Sequence, residues 1–160
     1  MDRQALTLKG TRRSSTRRAA GILAAVFVLF GFATACESTD AERDAVINLV
    51  NQTRAANGLG QLKANPQLSL KADNWAQKLR NDCRLSHSRL ADGAPNEWKK
   101  LGENVGYGGT IVQVHDAYLN SPGHRANIMD PSYNSMGAAA VWGMCDGQYR
   151  VFTVQVFMRS

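Results

Sequence analysis

The stretch MGAAAVWGMCDGQYRVFTVQVFM, residues 136–158, decides the fold. Small and β-forming residues run from Met136 to Met144 and again from Tyr149 to Met158. Asp146-Gly147 between them has the composition of a two-residue turn, so the stretch predicts a β-hairpin. In the second arm Tyr149, Val151, Thr153, Gln155 and Phe157 alternate with Arg150, Phe152, Val154, Val156 and Met158, which leaves both faces apolar. Such a sheet needs helices on both sides, and the expectation is three layers, helix on sheet on helix.

Working outward from the hairpin, the helices are found by their 3.6-residue period. From Asp40 the residues Val46, Leu49, Val50 and Thr53 share a face, and Asn57-Gly58 is a stop signal. A second helix starts near Asn65-Pro66, with Leu68, Ala72, Trp75, Ala76 and Leu79 inward and Lys71, Lys78 and Arg80 on a solvated face. Periodicity then fades through Ser86, His87 and Ser88 to a loop at residues 92–96 and a turn around Trp98. Residues 101–109, LGENVGYGG, are too glycine-rich for a helix and read as an irregular strand or a lining loop. Thr110 can cap a third helix bearing Ile111, Val114 and Tyr118. Ser121 and Pro122 suit the N-cap and first position of a short fourth helix that ends near Asp130-Pro131.

The first 35 residues read as a signal for export. Six basic residues and one acid precede an uncharged run from Gly21 to Ala35, which is short for a membrane span and ends in small residues. Ala33-Thr34-Ala35-Cys36 is similar to a lipoprotein cleavage site and also satisfies the A-x-A rule of ordinary signal cleavage. Either way the cut falls before Cys36, residues 36–41 are a short tether, and a domain follows over 42–160. The product is lipid-anchored at Cys36 on the outer membrane face, or secreted. Export leaves Cys83 and Cys145 as an even pair in an oxidising compartment, which predicts one disulfide. Of 19 basic and 13 acidic residues, 13 and 12 remain after residue 35, a net charge near +1 in place of the whole chain's +6. Without a basic cluster beyond Lys99-Lys100, nucleic acid is not an expected partner.

The chain has three histidines. His124 falls in the first turn of the fourth helix, among free N–H groups that disfavour a protonated ring, and a neutral imidazole can bind a metal or accept a proton. His115 borders an apolar stripe and reads as a packed residue. His87 is the better partner for His124, because it lies just past Cys83 in irregular chain that the disulfide would tie to the hairpin tip. Glu103, in the glycine-rich segment, is the acid placed for burial or close approach to a ligand. Ser86, Ser88 and Ser121 flank histidines, but no G-x-S-x-G occurs and a serine nucleophile is disfavoured.

Four ordered motifs carry a family resemblance: residues 85–88 (LSHS), 101–105 (LGENV), 117–129 (AYLNSPGHRANIM) and 133–137 (YNSMG). With Asn51, Arg54 and Gly58 near the start and residues 153–157 (TVQVF) at the end, the chain resembles the CAP superfamily of cysteine-rich secretory, venom allergen and pathogenesis-related proteins over about residues 42–158. The resemblance implies an α+β fold, a three-layer α-β-α sandwich with a central antiparallel sheet. It further implies a cleft in which His87, Glu103 and His124 match three of four metal-associated positions, holding zinc or another divalent cation. The fourth position, an acid in the family, is Ser121 here, and Tyr118 stands where tryptophan is usual. Ser121, Asn104 and Tyr118 then support the cleft. On this reading the protein is a binding module for a small hydrophobic molecule, a lipid, a peptide or a cell-wall ligand. The alternative is a metal-dependent peptidase or esterase in which the two histidines hold a water and Glu103 serves as base.

Overall fold

A computed structural model describes residues 38–160. The export segment and Cys36 lie outside the described residues. Helix α1 (Asp40–Ala56) starts at a capping box: Thr39 accepts from the Glu42 N–H, and the Glu42 carboxylate accepts from the Thr39 N–H. The folded unit thus begins inside the stretch read as a tether. Strand β1 (Lys63–Ala64) is followed by α2 (Pro66–Asp82), β2 (Lys100–Gly108), α3 (Ile111–Asn120), α4 (Pro122–Met129), β3 (Ser135–Cys145) and β4 (Gln148–Arg159).

The four strands lie in the order β1-β3-β4-β2. β3 and β4 form the predicted hairpin, closed by Asp146 at φ 50° and Gly147 at φ 73°, the left-handed pair that a two-residue turn of this kind requires. β2 is antiparallel to β4 over its whole length, from Lys100 opposite Arg159 to Gly108 opposite Val151. The irregular segment expected at residues 101–109 is therefore a regular strand. Its glycines answer to neighbouring rings, since a Cβ on Gly106 would stand 2.9 Å from the Tyr118 ring. The two-residue β1, parallel to β3 at Ser135 and Met136, was not foreseen.

Both faces of the sheet are covered. On one, α1, α3 and α4 bury Val46, Ile47, Val50, Val114, Tyr118 and Ile128 against Met136, Val151 and Phe157. On the other, α2 alone buries Leu68, Ala72, Ala76 and Leu79 against Ala139, Val141, Phe152, Val154 and Val156. The three-layer α+β expectation holds. The face of α1 is turned slightly from the expected one, with Ile47 buried and Leu49 and Thr53 half-buried.

Three buried or covalent ties set the helix ends. Arg54, 1% exposed, donates from Nε to the Gly60 carbonyl and from Nη1 to the carbonyls of Ile128 and Asp130, joining the end of α1 to the end of α4. Asn51 exchanges two hydrogen bonds with the Leu62 backbone. Cys83, the left-handed residue that ends α2, is disulfide-bonded to Cys145 with Cα atoms 5.4 Å apart, as expected. One charge reading is corrected. Lys71 is not on a solvated face but 8% exposed, because its Nζ turns inward to the Ser88 hydroxyl and the carbonyls of Arg89 and Asp92.

The tightest contact between layers is at Gly137, where a Cβ would overlap the backbone of Leu68 and Ser69. Gly137→Ala is expected to destabilise the domain by roughly 3 kcal/mol, since rigid helix backbone cannot yield as a side chain does. Gly60→Ala, with nothing within 4 Å, is the matched control and should be near neutral in urea unfolding.

Candidate functional site

Glu103 lies in the middle of β2 with its side chain 1% exposed. A buried carboxylate must be hydrogen-bonded, and this one is. Oε1 accepts from the Ser88 N–H at 2.9 Å and lies 2.8 Å from Nδ1 of His87, while Oε2 accepts from the Ser88 hydroxyl at 2.6 Å. Ser88 Oγ in turn accepts from Lys71 Nζ at 3.0 Å. Lysine, serine, carboxylate and imidazole thus form one chain running from α2, through the loop after it, into the sheet. A carboxylate behind Nδ1 makes that nitrogen the donor and leaves Nε2 as the outward lone pair of a ring that is 62% exposed.

His124 is brought to the same region by α4. Ser121 occupies the N-cap position and Pro122 the first turn, as predicted, but the Ser121 side chain makes no capping bond. Carboxamides instead tie the helix to the sheet. Asn104 donates to the His124 carbonyl at 3.1 Å and to Gln155 Oε1 at 3.0 Å, and it accepts from Asn127, which also donates to the Glu103 carbonyl. The His124 ring packs 4.9 Å from that of Tyr118, whose own hydroxyl is held by Thr153. Burial, and then repulsion from His87, lower the His124 pKa, so the imidazole favours its neutral form. Burial pushes the Tyr118 hydroxyl well above its ordinary value, which removes it as an acid or base near neutral pH.

Two hollows meet at His87 and Ser88. The one of about 350 Å³ is floored by Glu103 and Gly102 and walled by Leu101 and Asn127. The other, of about 670 Å³, is lined by Trp75, Asn74, Arg89 and Asp92. His115 stays out of both. It is buried between α1 and α3 with Nε2 2.8 Å from the Thr53 hydroxyl, in line with its reading as a packed residue.

His87, Glu103 and His124, set apart in sequence, thus serve one region, with Asn104 and Tyr118 behind His124. Among the described residues no group of three His, Cys, Asp or Glu side chains is placed to hold a metal ion. The Glu103 oxygens face His87 and Ser88. Sequence reasoning missed Lys71, Ser88, Asn127 and Gln155. Only Ser88 gave a signal, as a small donor next to a singled-out histidine.

Fold and site together define a disulfide-tied α-β-α sandwich with the His87 imidazole at an open cleft and the His124 ring packed on Tyr118 nearby. The chain belongs to the cysteine-rich secretory protein family, CAP, whose sequence model matches residues 47–157. It is 30% identical over 117 residues to the uncharacterized protein YkwD of Bacillus subtilis, covering 68% of this chain and 46% of that protein. The chain therefore spans about half the length of the curated relative it matches. Among solved structures it resembles an outer surface protein of Borrelia burgdorferi, at TM-score 0.63 and 18% identity over 72% of this chain and 90% of that one. It also resembles an extracellular SCP-domain protein of Bacillus anthracis, at TM-score 0.60 and 23% identity over 74% and 40%. At these identities the likeness concerns the fold.

Two outcomes follow from the geometry. Ser88→Ala strands Glu103 Oε2 and one Lys71 donor bond, and is expected to cost about 2 kcal/mol in urea unfolding. Burial also lowers the His115 pKa from its ordinary 6.5, against a smaller opposing pull from Asp116. Both His115 and His124 are harder to protonate folded than unfolded. Their stability is therefore intact above 6.5 and is lost as pH falls from there toward their folded values. Urea midpoints at about pH 7.5 and 5.5 should draw closer together in His115→Gln than in wild type.

Proposed function

We propose that this is an exported CAP domain, anchored through a lipid at Cys36, that acts by binding at the His87–His124 cleft rather than by hydrolysis. The observation carrying the reading is the state of Glu103. Both of its oxygens are already engaged by Ser88 and His87, so it serves as the acceptor that fixes the His87 ring and not as a free base beside a water. The hollows on either side of His87 pair apolar walls with a few convergent polar groups, the composition of a ligand site. A lipid, a peptide or a wall polymer is the class of ligand. Export rests on the charged, then apolar, N-terminal sequence, and the anchor on Cys36 directly after Ala33-Thr34-Ala35. Among the described residues no helix is long and apolar enough to cross a membrane.

The residues suit a divalent cation in one respect. His124 favours a neutral imidazole, and Glu103, 2.8 Å from His87 Nδ1, stands where an outer acceptor to a metal-bound histidine belongs. With Ser121 in place of a second acid, the protein would supply two ligands and water the rest, a weak site. A cation held there would supply positive charge for an oxygen-bearing ligand. Zinc calorimetry near neutral pH is the test: wild type is expected to bind, and His87→Ala and His124→Ala to weaken binding at least about tenfold each. Equal binding by all three would overturn the cation reading and leave a hydrogen-bonded polar cleft.

A further inference from the structure

Tyr149 and Met144 are 63% and 61% exposed. They sit directly opposite each other across the β3–β4 hairpin. Trp142, two residues before Met144 and so on the same face, stacks on Tyr149 with centroids 5.4 Å apart and planes 14° from parallel. On the other face Tyr107 is 42% exposed beneath the Arg150 guanidinium, 4.6 Å from its ring centre. Arg84 follows the cysteine that is bonded to the hairpin tip, and the turn itself adds one acid, Asp146. A single exposed aromatic needs no explanation, but Trp142, Tyr149 and Met144 side by side on one face of the hairpin tip, with Arg150 on its other face, do.

The path of the chain says what covers it. Ser38 is fixed to the flank of β3: its N–H donates to Asp73 Oδ1 at 2.7 Å, and its hydroxyl accepts from the Ala140 N–H at 3.0 Å. Only Cys36 and Glu37 precede it in the mature chain, a reach of about 7 Å at full extension. Met144 is four residues along the same strand from Ala140, about 14 Å. β1 pairs with β3 only at Ser135 and Met136, so among the described residues no further strand lies along this flank.

We propose that the turn end of the β3–β4 hairpin, together with the adjoining flank of β3, is a membrane-facing surface that rests in the headgroup layer of an anionic phospholipid bilayer. The inference rests on the lipid at Cys36 proposed above. A lipid there brings Ala140 to the bilayer, and Trp142, Met144 and Tyr149 are the amphipathic and apolar side chains suited to its interface, with Arg84 and Arg150 for anionic headgroups. β2 is the opposite edge of the sheet, so the cleft at Glu103 and His87 is turned away from the lipid.

Hydroxyl-radical footprinting of the acylated protein on phosphatidylglycerol–phosphatidylethanolamine vesicles tests this, with the unacylated Cys36→Ser chain in buffer as reference. Met144 and Tyr149 are expected to react about fivefold more slowly on the vesicles while His87 and Arg89 are unchanged, because only the hairpin end enters the interface. Undiminished reactivity of Met144 and Tyr149 on vesicle-bound protein overturns the proposal. Intact mass shows separately whether Cys36 carries diacylglycerol. If it does not, the anchor reading falls alone, and the surface is judged by co-sedimentation of the Cys36→Ser chain with the same vesicles. There Met144→Ser/Tyr149→Ser is expected to lower partitioning about tenfold, and equal partitioning of the two chains overturns the proposal.

Discussion

A carboxylate taken out of water in the middle of a sheet has to be met by donors, and the way Glu103 is met organises much of this domain. Its partners come from residues 87 and 88, in a segment without regular secondary structure that would otherwise have little reason to lie against β2. Lys71 holds that segment from the other side, through Ser88 and the carbonyls of Arg89 and Asp92. The result is a loop with defined conformation at the mouth of a cleft, stabilised by polar bonds where few apolar contacts exist. Burying lysine and glutamate without direct contact, joined by a serine hydroxyl, keeps each hydrogen-bonded while leaving His87 as the group that reaches solvent.

A second polar system does the same for His124. Asn104, Asn127 and Gln155 form a carboxamide chain between two strands and α4, and each donor or acceptor named has a specific mate. Such a chain fixes the short helix laterally against the sheet. Tyr118 completes the support from α3. The usual family tryptophan is absent there, and the phenol adds a bond to Thr153 that holds the ring under His124.

The parts legible in the sequence were those governed by short-range pattern. The hairpin from 136 to 158 followed from alternation and an Asp-Gly turn, the three layers from the lack of a polar face, and the four helices from period and stop signals. The pairing of Cys83 with Cys145 followed from compartment and count. What could not be read depends on partners distant in sequence. Lys71 looked like one more lysine opposite an apolar stripe, and only the loop at 88–92 makes it a buried residue. Gly102 and Gly106 looked like flexible chain, yet they are strand positions where Tyr133 and Tyr118 leave no room for a Cβ. β1 is too short to show any period. Ser121 was placed correctly at the N-cap, but its side chain makes no capping bond.

The bond between Cys83 and Cys145 encloses a covalent ring, and His87, Ser88, Glu103, Asn104, Tyr118, His124 and Asn127 all lie within it. A single cut by a protease anywhere between the two cysteines therefore opens the ring without releasing a fragment. The loop at residues 89–98, exposed over much of its length, is the natural place for such a cut. Both cut ends would remain tied to the same sheet, one through the disulfide and one through β2. Nicking of this loop and loss of the residues gathered around Glu103 are therefore separate events.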